Sequence, residues 1–182
     1  QDYMGVLEAY IAAFFFHLFG VSVFSLRLGM IVMFALFLIS MYLLTSLLYT
    51  KKLALVTLVL LSFGITGDVL IQQLRAVGGA IETLLFGSIA LLLASWLSLT
   101  SLTLDQAPLP HERRLRYLAY SGWGLAVGLG LWVHMLVVPF VLMGSLLLIV
   151  FCRRELSTQV MLFLLLGLVI GAFPLICYSV TV

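Results

Sequence analysis

Long apolar runs separated by short polar groups dominate this chain. The runs occupy positions 21–50, 53–65, 80–100, 117–133, 134–151 and 157–180. Most approach the length of about 20 residues that a helix needs to cross a hydrocarbon core about 30 Å thick. Helices are favoured because the runs are continuously apolar, whereas barrel strands alternate in polarity over about ten residues. The pattern predicts an all-α fold, a polytopic transmembrane helical bundle of about six spans.

The first 22 residues depart from this pattern. Their apolar stretch at 9–20 is too short to cross a bilayer, and a full-length run follows it at once. We therefore expect an N-terminal juxtamembrane helix within 1–22, lying near the outer interface. We expect one transmembrane domain over 1–182, and we interpret the chain, which opens at Gln1 without a Met, as a fragment of something longer.

Composition supports a membrane protein and excludes several functions. The sequence is 64% hydrophobic and 9% charged, with a mean hydropathy of +1.29, far from the roughly 25% charged residues of soluble domains. A formal net charge of +2 is too small and too dispersed to indicate a nucleic-acid partner. The sequence contains no Walker loop, GxSxG, HExxH or CxxC pattern, so nucleotide-driven and thiol chemistry are unsupported.

Basic residues in alternate loops predict the orientation. Lys51 and Lys52, the segment 101–116, and Arg153 with Arg154 carry most of the positive charge, and such loops lie on the cytoplasmic side. We expect a multi-pass protein of the plasma (inner) membrane whose uncommon polar groups face outward, toward the periplasm or cell exterior. The groups assigned to this outer side are Asp2, Glu8, Asp68, Arg75, Glu82 and His134.

The outward carboxylates are the candidates for chemistry. Glu82 begins an apolar helix, where a buried charge costs several kcal/mol unless it is paired, and Arg75 is its candidate partner or a contact for an anionic phosphate. Asp2 and Glu8 can act as a general base or hold a cation. The residues leave other interpretations open: solvated loop acids for Asp2 and Glu8, a structural ion pair for Glu82, and packing for His134.

Three stretches then point to a family. They are YMGxLEAY followed by LFG and SxFSLRL at 3–28, LRAVGGAIETLLFG at 74–87, and GWGLAVGLGLWVHM at 122–135. This order resembles the C-type glycosyltransferases, the polyprenyl-phosphate-dependent enzymes that include protein mannosyltransferases and the aminoarabinose transferase of lipid A. The resemblance covers essentially the whole chain, through degenerate motifs. In that family the main acidic motif ends a first span, which would precede Gln1.

The resemblance implies an inverting glycosyltransferase that moves a sugar from a polyprenyl-phosphate donor to a glycan, lipid or protein acceptor on the extracytoplasmic face. A loop carboxylate would act as base, often with a divalent metal ion. The residues it assigns are Asp2, Glu8 and Glu82 to catalysis, Asp2 and Glu8 to metal binding, and Tyr3, Tyr10, Arg75 and His134 to substrate binding.

Two other functions remain open from the sequence. A secondary transporter would place ionisable groups near the bilayer midplane, on broken helices within internal repeats. A non-catalytic structural membrane subunit would need no outward cluster at all. The clustering of ionisable groups at one predicted membrane face favours the transferase.

Overall fold

The computed structural model of the chain describes residues 6–63, 80–103, 110–153, 155–156 and 158–181. Every regular element within these residues is a helix, which confirms the all-α prediction. The α-helices are α1 (Val6–Phe19), α2 (Val23–Leu48), α3 (Lys51–Phe63), α4 (Ala80–Thr103), α5 (Pro110–Val133), α6 (Val138–Phe151) and α7 (Thr158–Thr181), and a 3-10 helix spans Met135–Val137.

Three segments of the described chain are long and apolar enough to cross a membrane, namely Val23–Leu48, Ala80–Leu102 and Gln159–Ile176. Leu7–Phe19 and Met135–Phe151 are apolar but shorter. At a rise of about 1.5 Å per residue, a 14-residue helix such as α6 covers only about 21 Å. The chain is therefore an all-helical protein with transmembrane character.

The chain divides into two compact units, Gln1–Leu85 and Phe86–Val182. In the first unit, Gly20 separates α1 from α2 with a φ of 81°, a left-handed conformation that favours glycine. The Ser22 side chain then caps α2 by accepting a hydrogen bond of 3.1 Å from the Ser25 amide. The Ser25 hydroxyl donates to the Gly20 carbonyl at 2.8 Å. As the sequence predicts, the opening segment forms a helix separate from the following span.

Helix α1 packs against α2 where Gly29 leaves room. A Cβ atom at Gly29 would lie 2.9 Å from Cγ2 of Ile11, and the Phe15 ring is also in contact. Glu8, Ile11, Ala12 and Phe15 share one face of α1, at the spacing i, i+3, i+4 and i+7. Glu8 and Ala12 are buried on this face. The opposite face is exposed and is formed by Tyr10, Phe14, His17 and Leu18.

The second unit contains α4 from Phe86 onwards and helices α5 to α7. Helices α4 and α5 are antiparallel, because Leu93 contacts Gly122 and Thr100 contacts Arg116. Leu97, Tyr120 and residues from α6 and α7 meet in one buried apolar core.

The α6 helix returns alongside α4 in the same direction. Phe140 packs on Gly87, and the Ser101 hydroxyl donates to the Phe151 carbonyl at 3.0 Å. The order of contacts makes the second unit an up-down bundle, in which the polar turn after α6 lies at the same end as the start of α5.

Helices α5 and α7 pack backbone to backbone through two matching GxxxG motifs. Gly124 and Gly128 face α7, and a Cβ at Gly128 would lie 2.8 Å from the Ala172 amide nitrogen. Gly167 and Gly171 of α7 face α5 in the same way. Small residues at this spacing allow helices to approach closely in a membrane. The α5 glycines therefore serve close packing against α7.

One predicted boundary is wrong. The predicted extramembrane loop at 101–116 is shorter than expected, since α4 continues to Thr103 and α5 begins at Pro110. Pro139 lies in the first turn of α6, where a proline removes no intrahelical hydrogen bond.

Candidate functional site

The structure describes four of the predicted site residues. Asp2, Tyr3 and Arg75 lie outside the described residues. Glu8, Tyr10, Glu82 and His134 are described, and the carboxylates of Glu8 and Glu82 belong to the first compact unit.

Glu8 is the third residue of α1 and only 8% exposed. The helix places it inward because it shares a face with Ile11, Ala12 and Phe15, which cover α2 near Gly29. Glu8 takes part in a polar or electrostatic interaction. The interpretation of Glu8 as a fully solvated loop acid does not fit this burial.

Glu82 is the third residue of α4 and fully buried, at 0% exposure. Its neighbours Ile81 and Thr83 are buried as well. Glu82 also takes part in a polar or electrostatic interaction. Glu82 lies at the head of an apolar helix, as the sequence predicts, and its structural or catalytic role stays open.

Both glutamates occupy the first turn of a helix, where the free amide groups and the macrodipole favour a negative charge. That effect contributes about 0.3–1 kcal/mol for an exposed group and up to about 2 kcal/mol for a partly buried one. Removing a carboxylate from water costs several kcal/mol. The helix ends therefore offset part of that cost, and each carboxylate has a further polar or electrostatic interaction beside it.

Tyr10 and His134 do not share this burial. Tyr10 is 65% exposed, on the face of α1 opposite Glu8. His134 lies in the second unit, between α5 and the 3-10 helix, and its Nδ1 accepts a hydrogen bond of 3.1 Å from the Leu136 amide. This cap fixes the ring and leaves Nε2 for other contacts.

Within the described ranges, no three His, Cys, Asp or Glu side chains are grouped as metal ligands. The predicted metal pair of Asp2 and Glu8 includes one residue outside those ranges. The metal assignment stays a prediction, and a carboxylate such as Glu8 has the hard oxygen donors that a divalent cation prefers.

The sequence analysis missed a buried polar cluster in the second unit. Arg116, placed by the sequence in an aqueous loop, is buried and pairs with the Glu155 carboxylate at 2.6 Å. Its guanidinium also donates to the Thr100 hydroxyl at 2.6 Å and to the Leu97 carbonyl at 3.2 Å. The Tyr120 hydroxyl donates to the same carboxylate at 3.4 Å.

The helical spacing of residues in α5 could have predicted that Arg116 is buried. Arg116, Tyr120, Trp123 and Val127 follow one another at steps of four, three and four residues, the spacing of one buried helix face. The acceptor Glu155 lies 39 residues away in the chain, and no local pattern connects it to Arg116.

Comparison with protein-family models, with curated proteins and with solved structures found no match. The resemblance to C-type glycosyltransferases therefore stays a prediction from the sequence motifs.

Proposed function

We propose that the chain is part of a membrane glycosyltransferase that transfers a sugar from a polyprenyl-phosphate donor to an acceptor at the extracytoplasmic face. The observation that carries the proposal is the burial of Glu8 and Glu82, each in the first turn of a helix of the same unit. Ionisable groups buried in membrane proteins are costly, and they commonly mark functional sites.

In this proposal Glu8, with Asp2, accepts the proton of the acceptor hydroxyl. The acceptor oxygen forms a bond to the anomeric carbon from the face opposite the lipid phosphate. The bond from that carbon to the phosphate oxygen breaks, and the electron pair leaves with the lipid phosphate. Inversion at the anomeric carbon follows from this single displacement.

The remaining residues position the two substrates. Arg75 binds the donor phosphate, for which a guanidinium is suited by its paired donors. Glu82 orients this base or shares its proton, and Tyr3 and Tyr10 contact substrate. Asp2 and Glu8 are the candidate ligands if a divalent metal ion takes part. About six spans, with Lys51 and Lys52 on the cytoplasmic side, complete the proposed topology.

The test is sugar transfer by the full-length protein in membranes supplied with a polyprenyl-phosphate sugar donor. Glu8→Gln and Glu82→Gln keep the side-chain volume and remove the charge, and each should lower the rate by about 10²-fold or more. Arg75→Ala should instead raise the donor concentration needed for half-maximal rate.

Glu112→Gln is the matched control, because Glu112 is also an early glutamate of its helix but is exposed. Its rate should equal that of the parent. If folded Glu8→Gln and Glu82→Gln proteins both transfer sugar at the parent rate, the two carboxylates are structural and the proposal fails.

A further inference from the structure

The second unit exposes a basic cluster, which we define as Arg113, Arg114 and Arg153. Arg113 and Arg114 lie near the start of α5, and Arg153 lies in the turn after α6. The 2.6 Å ion pair between Arg116 and Glu155 holds these two segments together. The cluster is thus presented at one end of the bundle by two different elements.

The cluster carries three positive charges, and the exposed Glu112 beside Arg113 carries one negative charge. Glu155 is occupied by Arg116. In the part of the chain that the structure describes, no carboxylate forms an ion pair with any of the three arginines of the cluster. Two of them also lie near the positive end of the α5 dipole, which disfavours cations. An anion beside the cluster would relieve both effects.

Apolar side chains begin directly beside the cluster. Leu118 is 69% exposed and lies one turn beyond Arg114 on α5, and Leu115 is also exposed. Arginines near a helix end, followed in the next turn by exposed leucines, have the order of a headgroup region over acyl chains. An anion with an attached hydrocarbon chain fits both parts of this surface.

We propose that the basic cluster binds the headgroup phosphate of an anionic phospholipid. The guanidinium groups of Arg113, Arg114 and Arg153 donate to the phosphate oxygens, while the acyl chains lie along Leu115 and Leu118. Guanidinium is suited to this role because its planar donors match a phosphate in pairs. This inference is independent of the sugar-transfer proposal.

The test uses the full chain in two series of vesicles. One series mixes brominated phosphatidylglycerol with unbrominated phosphatidylcholine, and the other mixes unbrominated phosphatidylglycerol with brominated phosphatidylcholine. Bromine quenches tryptophan fluorescence, so the two series give the preference for the anionic lipid. Trp96 reports on this end, since its carbonyl accepts a hydrogen bond from Thr100, which also contacts Arg116. Arg113→Gln/Arg114→Gln should lower the preference by about fivefold or more.

Lys51→Gln/Lys52→Gln is the matched control, because it removes two exposed positive charges at the start of α3 in the other unit. The control should keep the parent's preference, with unchanged helicity in both variants. An equal loss in both variants, or no loss in either, would overturn the proposal. Displacement of the anionic lipid by inorganic phosphate at constant ionic strength would show a soluble-anion site, and would also overturn it.

Discussion

Buried charge occurs in two forms in this chain, with different consequences for function. Arg116 has acceptors from Glu155, Thr100 and the Leu97 carbonyl, so hydrogen bonds account for its burial. Glu8 and Glu82 are buried in the first turns of two helices, and each takes part in a further polar or electrostatic interaction. We assign a structural role to Arg116, and we propose chemistry at the two glutamates because buried ionisable groups in membrane proteins commonly mark functional sites.

Replacing Arg116 with Met should lower the stability of the second unit. The change leaves Glu155 without its partner, and breaking a buried ion pair in this way costs about 3–5 kcal/mol. Because the Glu155 side chain is 26% exposed, solvent screens part of that loss, and we expect about 1–3 kcal/mol. The midpoint of thermal unfolding in detergent, followed by helicity, measures the effect.

The exposed neighbour Arg113 provides the control, since Arg113→Met removes the same charge without breaking an ion pair. Adding Glu155→Leu to Arg116→Met should recover most of the lost stability, because no unpaired charge then remains. Equal unfolding midpoints for the Arg113 and Arg116 single variants would contradict the structural role of the pair.

At the scale of helices, the sequence predicted the existence of elements better than their contacts. Continuous apolar runs predicted α2 and α4 because long apolar stretches have few alternatives in a membrane. The partner of the α5 glycines was missed, although Gly167 and Gly171 repeat the same spacing in α7. Spacing identifies a surface suited to close packing, whereas its partner depends on the tertiary fold.

Gly124→Ala should destabilise the α5–α7 contact. The added Cβ would overlap the Leu164 carbonyl oxygen, which belongs to a helix backbone and cannot move alone. We expect a loss of about 1–3 kcal/mol, the usual cost of overpacking, visible as a lower thermal midpoint.

Gly122→Ala tests whether any loss comes from contact with α7. A Cβ at Gly122 would lie 3.5 Å from Cδ1 of Leu93, an ordinary van der Waals contact, on the same α5 helix. This variant should unfold at or above the parent midpoint, because alanine has the higher helix propensity. If the two alanine variants unfold together, the close approach of α5 and α7 is wrong.

At the scale of the whole chain, composition and apolar runs sufficed to predict an all-helical membrane protein. They did not determine the number of spans, because α3 and α6 have only 13 and 14 residues and their ends depend on local capping. The position of Glu82 at the head of an apolar helix followed from the sequence, whereas its full burial depends on packing that the sequence did not predict. The burial of Glu8 depends on the packing of α1 on α2 at Gly29, a contact between helices that no single run encodes.

The central claim is that Glu8 and Glu82 belong to one site, and cross-linking tests it without knowledge of the sugar. The test uses the double variant Glu8→Cys/Glu82→Cys, in which Cys152 and Cys177 are replaced by Ala. This variant is treated in membranes with a short bifunctional thiol reagent. The chain is then cleaved between α2 and α3, at Tyr49 or Thr50, which separates position 8 from both 52 and 82. The control is the variant Glu8→Cys/Lys52→Cys. Glu8 lies on the face of α1 that packs near Gly29 of α2, whereas Lys52 follows the end of α2, which is about 30 Å along the helix from Gly29. The account predicts that only the 8–82 pair holds the fragments together; separation of the fragments, with both cysteines reactive, would contradict it.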